Sequence, residues 1–103
     1  MPPLGPVEVC RMAIIAYFRA HYRYIKFPFY EEAFTRRANT EAQYLVDNGD
    51  EGLRYGDQTG WPNTWLVYRD GVFLLLGGAD DEKFMEFKQM VREEFEAVGL
   101  ELH

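Results

Sequence analysis

The stretch TWLVYRDGVFLLL, from Thr64 to Leu76, decides the fold. Two runs of β-branched, aromatic and aliphatic residues flank Asp70-Gly71, a dipeptide preferred in two-residue type I′ hairpin turns. Such a turn fixes the register of the strands, and it predicts these cross-strand pairs: Arg69 with Val72, Tyr68 with Phe73, Val67 with Leu74, and Leu66 with Leu75. Both faces of the hairpin are apolar near its middle, so we expect it to be covered on both sides or paired with another chain.

The hairpin needs a third strand or a helix beside it, because a two-stranded ribbon alone is marginally stable. We expect a brief strand over Leu53 to Gly56. Downstream, the pattern predicts a helix that Asp80 or Asp81 caps and Gly99 ends. Its apolar residues recur at three- and four-residue steps, and they are Phe84, Phe87, Met90, Val91, Phe95 and Val98.

Two further helices are predicted upstream of the hairpin. Pro6 suits the first position of a helix, and the apolar spacing that follows places this helix over residues 6–22. A second helix should run from about Tyr30 to Asp47, where Asn48-Gly49 forms a strong stop signal.

Two local points stay open in this half of the chain. Thr40, with Gln43 three positions later, would equally cap a separate, shorter helix. Residues 22–29 fit either a strand or a helix end, although Pro28 disfavours helical backbone at the residue before it. The predicted architecture is α-α-β-β-β-α, an α+β fold with a small antiparallel sheet packed on helices. It forms one domain over residues 1–103, with residues 1–5 as a loose leader.

Composition places the chain among globular proteins: of its 103 residues, 48% are hydrophobic and 27% are charged. One cysteine cannot form an internal disulfide, which excludes a disulfide-rich secreted scaffold. No apolar run approaches the roughly 20 residues of a membrane helix, and the start lacks the basic-then-apolar pattern of a signal peptide. We therefore expect a cytoplasmic protein that does not bind membranes.

The net charge of −6 is unevenly distributed. Residues 1–37 carry six basic and three acidic side chains, whereas residues 38–103 carry five basic and fourteen acidic ones. An acidic chain repels nucleic-acid phosphates and is attracted to basic surfaces. The charge distribution therefore favours a protein partner with a basic surface, and its asymmetry also permits self-association.

Motifs for catalysis and cofactor binding are absent from the sequence: it contains no GxxxxGK[ST], GxGxxG, GxSxG or HExxH. Cys10 lies on the apolar side of the first predicted helix, and His21 is three turns away along it, too far to activate the thiol. One cysteine and two histidines cannot build a convincing zinc site. Residues 47–58 superficially resemble a calcium loop, but Gly49 and Gln58 replace two of its ligands. We predict no catalytic residue, no cofactor and no metal.

Basic residues alternate with aromatic ones in FRAHYRYIKFPFY, from Phe18 to Tyr30. Arg19, Arg23 and Lys26 would share one helical face, and this pattern can bind single-stranded nucleic acid by stacking bases and neutralising phosphates. In the alternative interpretation, the aromatic side chains are core and the cations pair with acidic residues. The net negative charge favours this alternative, so nucleic-acid binding is a less favoured hypothesis.

A second candidate site lies in the glycine-spaced segment YGDQTGWPNTW, which begins at Tyr55. Glycines allow a partner to approach the backbone closely, and tryptophans beside polar groups are frequent contact anchors. The candidate residues for protein or ligand binding are Tyr55, Asp57, Gln58, Trp61 and Asn63. The segment would otherwise be a loop that covers the end of the sheet.

Together these features favour a small acidic interaction protein without enzymatic activity, such as a regulator, inhibitor, immunity-type factor or accessory subunit. Aromatic residues make up 17% of the chain. We expect the exposed ones, together with the acidic surface, to bind a protein partner. A homodimer is one form such binding would take. The alternative function is a small-ligand or carbohydrate site centred on Trp61 and Asp57.

Overall fold

The computed structural model describes residues 4–55, 63–77 and 82–103, and it has the predicted α+β architecture. The helices are α1 (Pro6–Ile25), α2 (Glu31–Asp47) and α3 (Glu82–Ala97). The strands are β1 (Leu53–Tyr55), β2 (Thr64–Arg69) and β3 (Val72–Gly77), and they form one antiparallel sheet in the order β1-β2-β3. In this part of the chain no helix combines the length and the apolar character needed to cross a bilayer.

The β2-β3 hairpin forms in the predicted register, with Leu66 opposite Leu75 and Arg69 opposite Val72. Asp70 and Gly71 have φ angles of 51° and 81°, because a type I′ turn requires positive φ at both of its central residues. β1 supplies the third strand and pairs with β2, so that Tyr55 lies opposite Thr64. The turn residues therefore set which side chains of the sheet share a face.

Helix α1 is the centre of the fold, packed along both α2 and α3. Every residue from Ala13 to Phe18 is buried, which is typical of a helix surrounded by other elements. The sequence pattern predicts one apolar face for this helix, whereas the structure buries it on nearly all sides over this stretch. The small side chains Ala13, Ala16 and Ala20 are fully buried and allow neighbouring elements to approach closely.

The ambiguous residues 22–29 contain the end of α1, three residues beyond its predicted end. Lys26 adopts a left-handed conformation with φ 63°, and the Phe27 amide donates a hydrogen bond to the Tyr22 carbonyl at 3.0 Å. Tertiary packing holds the extra turn in place: the ring of Tyr24 lies edge-on to Phe87, with centroids 5.5 Å apart. No glycine marks this end, which is why local sequence signals misplace it.

Helix α2 is continuous through Thr40, so the alternative of a separate helix starting there does not form. The Thr40 hydroxyl instead donates a hydrogen bond to the Arg36 carbonyl at 3.2 Å, a pairing that Thr makes inside helices. The helix ends at Asp47, as the Asn48-Gly49 signal predicts.

The turn after α2, residues 48–52, lies directly against the sheet. The Tyr68 amide donates to the Gly49 carbonyl at 3.1 Å, and a Cβ on Gly49 would lie 2.0 Å from the Tyr68 carbonyl oxygen. A Cβ on Gly52 would likewise lie 2.9 Å from a methyl group of Val67. Glycine is therefore required at both positions for the turn to pack this closely.

Helix α3 buries its predicted stripe through Phe84, Phe87, Val91 and Phe95. Gly99 has a φ of 79°, and the Leu100 amide donates to the Phe95 carbonyl at 2.9 Å, which confirms the predicted helix end. The predicted caps Asp80 and Asp81, the end of the first strand at Gly56 and leader residues 1–3 lie outside the described residues.

The C-terminal residues pair with the free edge of β3. Leu102 forms a parallel bridge with Phe73 and is buried, and the His103 amide donates to the Phe73 carbonyl at 2.9 Å. This edge of the sheet is therefore occupied at the start of β3, next to the hairpin turn.

Tyr17 connects the central helix to the sheet. Its hydroxyl lies 2.7 Å from the Thr64 hydroxyl, and both side chains are fully buried. Its ring stacks on Tyr55 with centroids 4.5 Å apart and meets Phe87 of α3 edge-on at 5.5 Å. One side chain therefore contacts β1, β2 and α3 at once.

Replacing Tyr17 with Phe should lower the free energy of unfolding by about 1–2 kcal/mol, because the buried Thr64 hydroxyl loses this partner. Urea denaturation followed by circular dichroism measures the change. Tyr30→Phe, which removes an exposed hydroxyl, should alter stability by less than about 0.5 kcal/mol. Y17F combined with Thr64→Val should cost less than the sum of the single changes, and strict additivity would contradict coupling between the two hydroxyls.

Candidate functional site

The two faces of the sheet have different environments. One face, with Tyr55, Thr64, Leu66, Phe73 and Leu75, belongs to the core beneath the helices. Because side chains alternate along a strand, the remaining strand residues point to the opposite side. We call this side the outer sheet face, and it consists of Arg54, Trp65, Val67, Arg69, Val72, Leu74 and Leu76.

The outer sheet face is apolar and only partly covered. Val72 and Leu76 are 40% and 42% exposed, and Trp65 and Leu74 are half-buried. Among residues 4–55, 63–77 and 82–103, none of these four side chains packs against the main core. Val67 also lies on this face but is buried, because Gly52 of the 48–52 turn covers it. The sequence prediction of two apolar hairpin faces is confirmed, and the helices cover only one of them.

An acidic wall borders the outer sheet face. A groove of about 520 Å³ runs between the 48–52 turn and the hairpin, lined by Asp50, Glu51, Trp65, Val67, Leu76 and Gly77. Asp50 accepts a hydrogen bond from Arg69 at 3.0 Å but keeps 85% of its side chain exposed. Glu51 accepts one from the hydroxyl of Tyr44, itself an exposed aromatic residue. The groove therefore combines an apolar floor with two carboxylates on one side.

The other edge of this face carries a cation. The Arg54 guanidinium carbon lies 4.7 Å from the centre of the Trp65 ring, within the range of a cation–π interaction. Within the described ranges, Arg54 forms no ion pair with a carboxylate. Stacking on Trp65 is therefore its main interaction on this face.

Three of the five predicted loop residues, Asp57, Gln58 and Trp61, lie outside the described residues. Tyr55 is buried, and its hydroxyl donates to Glu41 at 3.3 Å. Burial, together with the negative charge of Glu41, raises the pKa of Tyr55 above its usual value, so the hydroxyl keeps its proton. Asn63 is exposed and lies at the same end of the sheet, because its neighbour Thr64 pairs with Tyr55.

Two of the three cations in the predicted basic patch form ion pairs. Arg19 pairs with Glu31 of α2, and Arg23 pairs with Glu93 and Glu94 of α3, at 2.9 Å in the case of Glu94. Lys26 is exposed at the end of α1. Phe18, the first aromatic residue of this motif, and Tyr17 just before it are core residues. These pairs reduce the positive charge that α1 offers to phosphates.

The connection between α1 and α2 exposes two large aromatic side chains, Phe27 at 65% and Tyr30 at 71%. Pro28 lies between them, and Phe29 packs back onto Tyr22 with ring centroids 5.4 Å apart. This pair forms a second exposed apolar patch, on the turn rather than on the sheet.

A pocket that the sequence pattern does not indicate lies between α1, α2 and β1. We call it the arginine pocket; its volume is about 260 Å³, and it is lined by Phe18, His21, Tyr22, Phe34, Arg37, Arg54 and Tyr55. The Arg37 guanidinium carbon lies 4.8 Å from the centre of the Phe18 ring, and its Nε donates to Glu41 at 2.9 Å. These residues come from three separate segments, so no local motif could reveal the pocket.

Cys10 is fully buried, and its burial raises the pKa of the thiol from 9.0 to about 11. A buried thiol of this kind is a poor nucleophile at neutral pH. Within the part of the chain that the structure describes, no group of three or more His, Cys, Asp or Glu side chains is arranged to hold a metal ion.

The raised pKa of Cys10 predicts a loss of stability in alkaline solution. Below about pH 9 the thiol is protonated in both the folded and the unfolded protein. Between about pH 9 and 11 only the unfolded protein releases this proton, so unfolding becomes more favourable as the pH rises. Cys10→Ala should remove about 2 kcal/mol of this alkaline loss, as urea denaturation at pH 7 and pH 10.5 would show. Tyr55 also has a raised pKa, and its alkaline effect on stability is the same in wild type and C10A. An equal loss of stability in the two proteins would therefore contradict the prediction for Cys10.

Comparison with known proteins finds no relative of this chain. No protein-family model, curated protein or solved structure matches the chain significantly, so the geometry of the outer sheet face and of the arginine pocket is the evidence for a function.

Proposed function

We propose that this chain is a non-enzymatic protein-binding module that contacts a basic partner protein through its outer sheet face. The observation that carries this proposal is the partly exposed apolar surface of Val72, Leu74 and Leu76 beside the acidic wall of Asp50 and Glu51. Contiguous apolar patches with polar rims are typical of protein interaction sites.

The shape of the site favours a macromolecule over a small ligand. Among the described residues the groove is bordered by one turn, and exposed Val72 lies farther along the same face of the hairpin. Trp65 offers a large rigid side chain at one end, and aromatic residues of this kind dominate binding energy at protein interfaces. A partner that inserts an apolar side chain between the 48–52 turn and the neighbouring side chains of Trp65 and Leu76 would occupy the groove.

Charge favours a basic partner over a second copy of the chain. Glu51, and Asp50 with most of its side chain exposed beside its partner Arg69, would face a lysine or arginine next to the inserted apolar residue, and the chain as a whole carries −6. Two copies of an acidic chain repel each other, whereas a basic protein is attracted from a distance. A second copy of the chain, bound as a homodimer, is therefore the second candidate partner for the outer sheet face.

This mode of binding suits a regulator, inhibitor, immunity-type factor or accessory subunit, each of which acts by covering a surface of another protein. The cytoplasm remains the proposed location, because the buried Cys10 is a free thiol.

Replacing Leu76 with Glu should weaken partner binding by tenfold or more, because it places a charge at the centre of the apolar groove. The immobilised chain would capture partners from a lysate of its own cells, and each captured protein would be purified and titrated by calorimetry at low and high salt. Affinity should fall as salt rises, since the carboxylates contribute through charge. Met85→Glu is the matched control, because Met85 is 57% exposed on α3 and does not line the groove.

Equal binding by wild type and L76E would contradict the proposed face, and a partner without a basic surface would contradict the proposed chemistry. Light scattering after size exclusion tests the second candidate. A monomer is expected, whereas a dimer that L76E dissociates and M85E preserves would assign the outer sheet face to self-association.

A further inference from the structure

We propose that the arginine pocket binds a small aromatic carboxylate, a ligand with one ring and one carboxylate group. The pocket lies between α1, α2 and β1, and it shares only Arg54 with the outer sheet face. This inference is independent of the proposed protein-binding function, because it uses another cavity and another kind of ligand.

Arg37 would bind the carboxylate. Its Nε proton is used by Glu41 at 2.9 Å, and its guanidinium lies over the ring of Phe18, so both its position and its orientation are set before a ligand arrives. The terminal nitrogens of a guanidinium present N–H donors in a planar fork that matches a carboxylate. The other Glu41 oxygen accepts the Tyr55 hydroxyl, which holds this carboxylate against the helix side of the pocket.

The balance of charge in the pocket favours an anion. Glu41 offsets the charge of Arg37, but Arg54 lines the same pocket and has no carboxylate partner within the described residues. His21 adds a buried imidazole to the lining. Within the described ranges, Arg37 and Arg54 therefore line the pocket against one neighbouring carboxylate, and the Arg54 guanidinium would have to leave Trp65 to add its charge to the site.

Aromatic side chains form the remaining walls, and Tyr22 and Phe34, which stay partly exposed, offer contact to a flat ring. The rings of Phe18 and Phe34 have centroids 5.0 Å apart, and Tyr22 meets Phe34 edge-on at 5.5 Å. These rings pack on one another and on the core, so the walls are formed without a ligand and little ordering is required on binding.

The volume limits the size of the ligand. Pockets for drug-sized molecules occupy roughly 300–1,000 Å³, whereas this one has about 260 Å³. A single aromatic ring with one carboxylate fits this space, and the combination of cations with ring walls distinguishes such a ligand from a simple inorganic anion.

The experiment is a titration of the full chain with benzoate, through the millimolar range, followed by amide shifts in ¹H–¹⁵N NMR spectra. Shifts should concentrate at residues 18–22, 34–37 and 54–55. Benzamide, which lacks the charge, and acetate, which lacks the ring, should each bind roughly tenfold more weakly. Inorganic phosphate tests whether any anion suffices.

Arg37→Gln should weaken benzoate binding by roughly tenfold or more, and Arg37→Lys, which keeps the charge but not the planar fork, should also weaken it. Arg36→Gln is the matched control, because Arg36 is the adjacent residue on α2 and does not line the pocket. If R37Q fails to fold, R37K decides the question. Unchanged benzoate affinity in a folded R37Q or R37K, phosphate or acetate binding as tight as benzoate, or no benzoate binding would each overturn the proposal.

Discussion

The packing of Tyr17 against the sheet is the interaction on which the rest of this structure depends. A buried hydroxyl contact with Thr64 and a stacked contact with Tyr55 hold the central helix against one face of the sheet. Because α2 and α3 both pack on α1, the position of all three helices relative to the sheet depends on this contact of Tyr17. The opposite face of the sheet then has no helix over it among the described residues, and its apolar side chains become available for contact.

The two candidate sites meet at Arg54 on the edge strand β1. Its guanidinium stacks on Trp65 at the margin of the outer sheet face, and the residue also lines the arginine pocket. A three-residue strand is short enough for one residue to reach both surfaces. A ligand that drew Arg54 towards the pocket would therefore alter the edge of the protein-binding face. Arg54 is the one described residue through which the two surfaces are in direct contact.

Local sequence signals predicted the parts of the fold that local chemistry controls. Asp70-Gly71 determined the hairpin and its register, and Gly99 marked the end of α3, because these turns require positive φ angles that few residues adopt. Asn48-Gly49 marked the end of α2, where Gly49 lies too close to Tyr68 for a side chain. The end of α1 was harder to place, since Lys26 adopts a positive φ that packing of neighbouring aromatic rings stabilises.

The candidate sites were less predictable than the fold. The apolar outer face followed from the alternation of β2 and β3, but the acidic wall depends on how the 48–52 turn folds back on the sheet. The arginine pocket needed contacts between residues far apart in the chain, such as Arg37 with Phe18. Ion pairs that join Arg23 to α3 are of the same long-range kind, and no periodicity reveals them.

The pairing of the C-terminal residues with β3 limits how this protein can assemble. Leu102 and His103 pair with the start of β3, on an edge that would otherwise be open to strand addition by another chain, the usual route to aggregation of small sheets. Extension of the sheet along this edge would first require the tail to detach and expose buried Leu102 to water. For the same reason, affinity tags and fluorescent fusions are better placed before α1, where Leu4 and Gly5 are exposed, than after His103.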